Sequence, residues 1–352
     1  MKIKRATISN FRVLEEAEFD FHPQFTLVVG VNGVGKSTLL DAIRICASRI
    51  LPQISPSKSK AMSFAIEDIS QSLPFLDVDL IFEIGGRICR YDRREWREKH
   101  AQDAKGNVDI LKRAILEIER PRTRLRNMLR ELVESQDVTD RDYYDPSIDV
   151  FQKSAMRERS APNCIFFSTS RSVVSEAAAS KSRAVGSEAS AYAEALSSRS
   201  LYLVQIADWM RVQAALASEH HLSGRHLRVL ESAVKQFLPG YSKLRPGKGD
   251  EPPLVIDKRG ITLDVRQLSD GERGVLSLVL DISRKLSQAN PRLADPMRQG
   301  QALILIDELD LHLHPQWQRT IVDRLVKIFP RCQFIATTHA PQIVAAVEPE
   351  QV

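Results

Sequence analysis

The sequence predicts an α/β fold in which a mixed β-sheet is flanked by helices, and two observations lead to this prediction. Three short apolar runs, at 25–29, 302–306 and 333–336, have the length and composition of strands that are buried on both faces of a sheet. The first run leads through a glycine-rich turn into residues 38–50, whose apolar side chains recur at helical spacing. A strand, a glycine loop and a helix in this order are typical of α/β proteins.

The N-terminal part predicts an antiparallel β lobe beside this sheet. Ile3, Ala6 and Ile8 nearly alternate with polar residues, and a second alternating run covers 14–21. The runs 76–83 and 87–93 flank Gly85-Gly86, which is the pattern of a β-hairpin.

The rest of the chain is expected to form further short strands and amphipathic helices around an irregular middle. The apolar run 164–167 predicts a strand, and 239–253, with glycine and proline at both ends, predicts a loop. The remaining predicted elements are a hairpin of 254–256 with 261–265 and helices over 201–237, 270–286 and 317–329.

Length and composition limit the class of protein. With 352 residues and 43% hydrophobic residues, the chain is expected to form about two globular domains, or one with insertions. Its four cysteines include no C-x-x-C pair, so reduced thiols are expected rather than a zinc site or a disulfide framework. No apolar run approaches the roughly 18 residues of a membrane span, and the N-terminus lacks a signal-peptide core. A cytoplasmic protein without membrane contact is expected.

The pattern predicts a split core that is interrupted by insertions. Residues 1–50 and 254–352 are expected to form one unit, 51–94 a β lobe with connecting loops, and 95–253 a charged, mostly helical insertion. Residues 87–130 contain 14 Lys and Arg against 7 Asp and Glu, whereas 131–150 contain one Arg against 7 acids. Either the two blocks pair with each other, or the basic block binds phosphates, DNA or an acidic partner.

One glycine-rich motif predicts a phosphate-binding site. The segment 30–37 reads GVNGVGKS, which matches G-x-x-x-x-G-K-S between a predicted strand and a predicted helix. Glycines allow successive backbone N–H groups to surround a phosphate, and the helix N-terminus adds its positive end. Lys36 is expected to reach the β- and γ-phosphates, and Ser37 to bind Mg²⁺. The candidate nucleotide-binding residues here are Asn32, Gly33, Gly35, Lys36, Ser37 and Thr38.

Two acids follow the second apolar run. Asp307 and Glu308 come directly after 302–306, at what would be the carboxyl edge of the sheet, where α/β proteins bind nucleotides. Asp307 is expected to hold Mg²⁺ through water, and Glu308 to act as the general base for an attacking water.

Three segments then carry a family resemblance. ALILIDELDLHLHPQ at 302–316, LSDGER at 268–273 and ATTHAPQIV at 336–344 resemble the ABC-type ATPase heads of the RecF/SMC-like group. Within that group the chain is similar to the stand-alone, AAA-labelled ATPases of bacterial antiphage systems, of the Septu and retron-associated types. The resemblance covers 1–50 and 254–352. It implies a P-loop NTPase fold of the ABC-head type, ATP and Mg²⁺ as cofactors, and a head-to-tail homodimer with ATP between the heads.

The resemblance also implies roles for single residues. Ser269 and Gly271 match the signature motif that contacts the γ-phosphate held by the other head, although SDGE is also a helix capping box. Asp310 matches the acid that both sites share across the dimer, and His339 the histidine that senses the γ-phosphate. Two further matches are less specific. Arg12 matches an arginine that reaches the phosphates but also suits a plain surface position, and Gln71 is the candidate Q-loop ligand of Mg²⁺.

His312 and His314 form an H-x-H pair, which we expect to pack or cap rather than to bind a metal. Several functions fit the resemblance. The head would drive or gate an effector, an HNH-type nuclease or a reverse transcriptase with its noncoding RNA. It could instead be a scaffold or sensor with little turnover, or a RecF-like ATPase of DNA repair that binds DNA. A nuclease in its own right is disfavoured, because only 13 residues follow His339 and a toprim domain would be needed there.

Overall fold

A computed structural model describes residues 1–57, 60–71, 73–97, 161–172, 174–175, 188–197, 201–218, 221–249 and 251–352. The strands within these residues are β1 (Lys2–Phe11), β2 (Leu14–Asp20), β3 (Phe25–Val29), β4 (Phe75–Ile84), β5 (Arg87–Trp96), β6 (Asn163–Phe167), β7 (Val174–Ser175), β8 (Leu201–Tyr202), β9 (Tyr241–Pro246), β10 (Leu254–Lys258), β11 (Ile261–Asp264), β12 (Ala302–Ile306) and β13 (Gln333–Thr338). The α-helices are α1 (Lys36–Ile54), α2 (Leu203–Leu216), α3 (His221–Phe237), α4 (Asp270–Ala289), α5 (Pro296–Gln299), α6 (Pro315–Gln318), α7 (Ile321–Ile328) and α8 (Pro341–Val344).

A parallel four-stranded sheet in the order β3-β13-β12-β6 forms the centre of the molecule. In its register Leu303 lies beside Gln333 on one side and beside Cys164 on the other. Parallel strands end at the same edge of a sheet, so the residues that follow β3, β12 and β13 meet there. This edge brings together the segment 30–37, the acids after β12 and His339.

The central sheet separates two apolar layers. Ile304 and Phe334 point into one layer, which also contains side chains of α2, α3, α4 and β10. Leu303 and Ile335 point into the other layer, together with side chains of β1, β4 and α1. The strict alternation along β12, whose residues are all buried, explains why its sequence reads as a continuous apolar run.

The predicted N-terminal lobe is an antiparallel sheet in the order β2-β1-β4-β5. Its hairpin turn is at Gly85 and Gly86, which have φ values of 59° and 75°, a region of backbone space that glycine enters without strain. A second antiparallel sheet, β11-β10-β9, lies near the start of α4. The mixed α/β architecture with an antiparallel N-terminal lobe is therefore confirmed.

Three local predictions differ from the structure. Residues 241–246, predicted as loop, form β9, because Tyr241 and Leu244 face the core while Gly240, with a φ of 90°, makes the preceding turn. The predicted single helix over 201–237 is two helices, α2 and α3, that contact each other. The predicted helix over 317–329 is likewise two helices, α6 and α7.

The division into domains needs one correction. Residues 163–167 were assigned to the insertion 95–253, but they form β6, which pairs in parallel with β12 at the edge of the central sheet. A strand of the core therefore comes from inside the predicted insertion. The helical pattern predicted between 98 and 160 lies outside the described residues.

Part of the basic block 87–130 is described, and three of its arginines form ion pairs. On β5, Arg90 and Arg94 form ion pairs with Asp79 and Asp77 of the neighbouring strand β4, and Arg93 pairs with Glu95. The charges of these three arginines are balanced within the lobe. The arginines at 120–126 and the acidic block 131–150 lie outside the described residues.

All four cysteines are free and buried, in agreement with the expected reduced thiols. Burial raises the pKa of each thiol, that of Cys89 to about 11 and that of Cys332 to about 12. Within the described residues, no helix combines the length and apolarity that crossing a bilayer requires.

Candidate nucleotide-binding site at the sheet edge

The phosphate loop, residues 30–37, joins β3 to α1. Gly33 and Gly35 have φ values of 86° and 102°, and a Cβ atom on Gly35 would lie 2.7 Å from Cδ2 of Leu14. The loop curls around the lysine, since Lys36 Nζ donates to the carbonyls of Gly30 and Val31 at 2.9 Å each. Glycine is required at position 35 both for its backbone conformation and for the close approach of β2.

The start of α1 is free to attract an anion. Within the part of the chain that the structure describes, no side chain caps this end of the helix, and its first turn contains no acid. The unpaired N–H groups and the helix dipole therefore present positive charge at the loop. Ser37 is exposed there, while Thr38 is buried behind it. Asn32 and Gly33 are exposed on the loop itself.

The two residues predicted to hold Mg²⁺ are in contact, although they are 270 positions apart. The Ser37 hydroxyl donates to Asp307 Oδ1 and Oδ2 at 3.0 and 3.1 Å. A hydroxyl and a carboxylate side by side supply the hard oxygen ligands that Mg²⁺ prefers, so the residues present fit this ion.

Thr337, which sequence analysis did not single out, bridges the two acids after β12. Its hydroxyl donates to Asp307 Oδ1 at 2.7 Å and accepts from the backbone N–H of Glu308 at 2.7 Å. The side chain is fully buried. Its position two residues before His339, at the end of an apolar run, was the one sequence signal that could have identified it.

Arg171 is a second contact that sequence analysis did not identify as part of the site. Its guanidinium donates to the backbone carbonyl of Asp307 at 2.6 Å and to that of Glu308. Burial lowers the Arg171 pKa to about 10, although Asp310, Asp307 and Glu308 act in the opposite direction. The side chain remains a cation at neutral pH.

Asp310 and His339 lie next to each other. Asp310 Oδ1 accepts from the Thr338 hydroxyl at 2.5 Å and from the His339 backbone N–H at 3.2 Å. The carboxylate thus fixes the end of β13, and the His339 side chain is exposed to solvent.

His314 caps α6, accepting from the Gln316 backbone N–H at 3.3 Å, which agrees with the expected capping role.

The signature segment, residues 268–273, forms the start of α4. Ser269 caps the helix in a capping box with Glu272, which confirms the capping-box interpretation of SDGE. The signature-motif role of Ser269 stays a prediction. Gly271 is buried, and a Cβ atom there would lie 2.3 Å from the carbonyl oxygen of His312. The start of α4 is therefore packed directly on the turn that follows Asp310.

Glu272 connects this helix start to the sheet β11-β10-β9. It accepts hydrogen bonds from the Tyr241 hydroxyl and from Lys258 Nζ. Burial alone would raise the Glu272 pKa, but the hydrogen bonds from Tyr241, Ser269 and Lys258 outweigh burial and lower it to about 2.

The two less specific candidates lie away from these contacts. Arg12 donates to Asp68 Oδ1 at 2.8 Å and to Asp41 Oδ2 at 2.6 Å. Burial opposes its charge, but these two carboxylates keep its pKa above the ordinary arginine value. Gln71 is exposed, and its backbone carbonyl accepts from Arg97. Among the described residues, no hydrogen bond joins either side chain to Ser37 or Asp307, so their roles stay predictions.

Comparison with known proteins identifies a family model and relatives for this chain. A family model described as "AAA domain, putative AbiEii toxin, Type IV TA system" matches residues 25–345. The chain is 41% identical over 137 residues, 39% of its length, to "Retron Ec83 probable ATPase" of Escherichia coli, and the match spans 25% of that protein. It is 59% identical over 46 residues, 13% of its length, to "Septu protein PtuA" of Bacillus thuringiensis, and covers 12% of that protein.

Among solved structures, one described as "Crystal structure of the SmcHead bound to the C-winged helix domain of ScpA" matches with a TM-score of 0.47 and 16% identity. The match covers 99% of this chain and 92% of that one. The chain spans about a quarter or less of the length of the two curated relatives, the retron ATPase and the Septu protein. The predicted relation to retron and Septu ATPases is confirmed.

Proposed function

The chain belongs to the AAA-domain family whose model matches residues 25–345, and we propose that it binds ATP at the sheet edge and hydrolyses it to ADP and phosphate. The observation that carries the proposal is the contact of Ser37 with Asp307, with Glu308 as the next residue. This contact places the phosphate loop, the oxygen ligands of Ser37 and Asp307, and the Glu308 carboxylate at one point of the molecule.

Each residue has a separate part in this proposal. The N–H groups at the start of α1 and the Lys36 ammonium bind the β- and γ-phosphates. Ser37 and Asp307 would hold Mg²⁺, which, when bound, neutralises charge on the phosphate oxygens. Glu308 accepts a proton from the attacking water. Within the described residues its carboxylate forms no hydrogen bond, so it is available for this proton transfer.

ATP binding would change the oligomeric state of the head. Ser269 and Asp270 are exposed at the N-terminus of α4, where free N–H groups favour an anion. We place the γ-phosphate of a second copy there, which makes a homodimer with ATP between the heads. Asp310 and His339 would lie close to this interface.

The partner is proposed from the relatives alone. Their names connect them with a retron and with Septu. In such a system this head would drive or gate an effector, an HNH-type nuclease or a reverse transcriptase with its noncoding RNA. Slow turnover with stable ATP binding would favour the scaffold or sensor with little turnover over a head whose ATP hydrolysis drives the effector.

Two variants test the proposal together. Lys36→Ala should abolish ATP binding measured by calorimetry, because it removes the cation that the loop surrounds. Glu308→Gln should bind ATP normally but release phosphate at least about 100-fold more slowly, because it keeps the shape of the side chain and loses its basicity.

Molar mass by light scattering completes the test. With ATP, Glu308→Gln should double in mass, while Lys36→Ala should not. Wild-type turnover in Glu308→Gln would refute Glu308 as the base, and unchanged ATP affinity in a folded Lys36→Ala would refute the site. An unchanged mass in ATP-loaded Glu308→Gln would refute the proposed dimer and leave the ATP site unaffected.

A further inference from the structure

The turn that follows β6 carries a buried cation next to the two acids. Residues 169–172 form a single 3-10 turn that packs against α4. Within it, Arg171 is only 3% exposed. A buried charge is costly unless hydrogen bonds satisfy it, so its partners indicate why an arginine is present.

Those partners are main-chain oxygens. Nη1 donates to the carbonyls of Asp307, at 2.6 Å, and Ser168, at 3.3 Å, and Nη2 donates to the carbonyl of Glu308. Among the described residues, every hydrogen bond of this guanidinium ends on a backbone carbonyl. The planar fork of arginine can reach two successive carbonyls at once, which the single ammonium of lysine does less well.

The acids it holds lie on a strained turn. Glu308 has a φ of 49°, in the left-handed region, where the backbone of a non-glycine residue is strained. Such a conformation persists only where the surroundings fix it. Two other contacts help, since Thr337 accepts the Glu308 N–H and the Phe167 carbonyl accepts the Asp307 N–H. Arg171 binds the carbonyl side of the same two residues.

We propose that Arg171 is a positioning residue, which holds the 307–308 turn in this conformation and so directs the Glu308 carboxylate at the attacking water. This inference rests on the proposed function, in which Glu308 is the general base. Arg171 touches neither substrate nor metal in this proposal. Its effect on rate arises through the backbone of Glu308.

The test compares Arg171→Met, Arg171→Lys and a matched control. Arg284 is also a buried arginine, but its partner is Asp281 on its own helix α4. Arg171→Met should leave ATP affinity within about twofold and lower kcat by about 10- to 100-fold, the range expected for a small misplacement of a reacting group. Arg171→Lys, which keeps the charge, should recover part of the rate. Arg284→Met should lower stability and leave kcat within about threefold.

A double mutant shows whether Arg171 acts through Glu308. In a Glu308→Gln background, Arg171→Met should cause little further loss of rate, because residues that act as one unit are not additive. Full additivity would overturn the proposal. So would an unchanged kcat in Arg171→Met, or an equal loss of kcat in Arg284→Met.

Hydrogen exchange gives a readout that does not depend on turnover. Arg171→Met, or Arg171→Lys if the first variant does not fold, should increase amide exchange in a peptide covering 302–311, and Arg284→Met should not. Unchanged exchange there would refute the positioning role even if the protein hydrolyses no ATP. Increased exchange combined with wild-type turnover in Glu308→Gln would instead refute Glu308 as the general base of the proposed function and leave the contact of Arg171 with the turn supported.

Discussion

Replacing Thr337 by valine tests how the two acids after β12 are held. Valine has the shape of threonine and replaces the hydroxyl by a methyl group. The substitution removes the bond to Asp307 Oδ1 and leaves the Glu308 N–H without this partner. The Thr337 side chain is fully buried, and the two acids are half-buried. The fold should therefore become less stable.

The magnitude follows from these two contacts. A hydrogen bond to a charged group contributes about 1.5–3 kcal/mol, and a buried unsatisfied N–H costs about 1–3 kcal/mol. The Ser37 hydroxyl still donates to Asp307 in the variant, so the first loss lies at the low end of its range. We expect the free energy of unfolding to fall by about 2–4 kcal/mol.

The assay is urea unfolding of Thr337→Val beside Thr7→Val. The Thr7 hydroxyl on β1 is buried, and within the described residues it has no hydrogen-bond partner. The same substitution there should change stability by less than about 0.5 kcal/mol or increase it slightly, because an unsatisfied polar group is removed. Equal midpoints for the two variants would refute the bridging role of Thr337.

Two further predictions concern the start of α4. Gly271→Ala should lower the free energy of unfolding by about 1–3 kcal/mol, because its Cβ would meet the His312 carbonyl oxygen at 2.3 Å. Thermal unfolding measures this change. The control is Gly224→Ala on α3, whose Cβ would lie 3.3 Å from that of Ala217, and it should be neutral or stabilising in the same measurement. Glu272→Gln should remove a pH-dependent contribution to stability. The folded-state pKa of Glu272, about 2, lies below its ordinary value of 4.5. The carboxylate therefore stabilises the fold above pH 4.5 and loses this effect as the pH falls towards 2. The difference between the urea midpoints of wild type and Glu272→Gln should accordingly shrink from pH 5 to pH 3, and a constant difference would show that the charge of Glu272 is not involved.

Much of this site could be predicted because its parts are local in sequence. The bounds of β3 and β12 coincide with the apolar runs at 25–29 and 302–306. Parallel strands share a carboxyl edge, so the meeting of Ser37 with Asp307 also follows from the pattern once both motifs are recognised. The capping box at Ser269 needs only residues within one turn of helix.

The contacts that could not be predicted depend on distant main-chain atoms. Two of the three carbonyl oxygens that Arg171 binds lie 136 and 137 positions away, and any residue type could supply them. The need for glycine at 271 arises from the His312 carbonyl, which belongs to another turn. β9 was missed because its outward residues are polar and glycine flanks both ends, so only the tertiary contacts of Tyr241 and Leu244 define it.

The four buried cysteines have a practical consequence, because the reaction of their thiols with a labelling reagent can report local unfolding of the chain. A thiolate is the form that reacts with alkylating reagents, and raised pKa values together with burial keep all four groups protonated and inaccessible in the folded state. Cys46, Cys89 and Cys164 lie in the layer with β1 and α1, whereas Cys332 lies in the layer with α3 and α4. Iodoacetamide labelling followed by mass spectrometry would therefore show which side of the central sheet exposes its interior first, without any introduced probe.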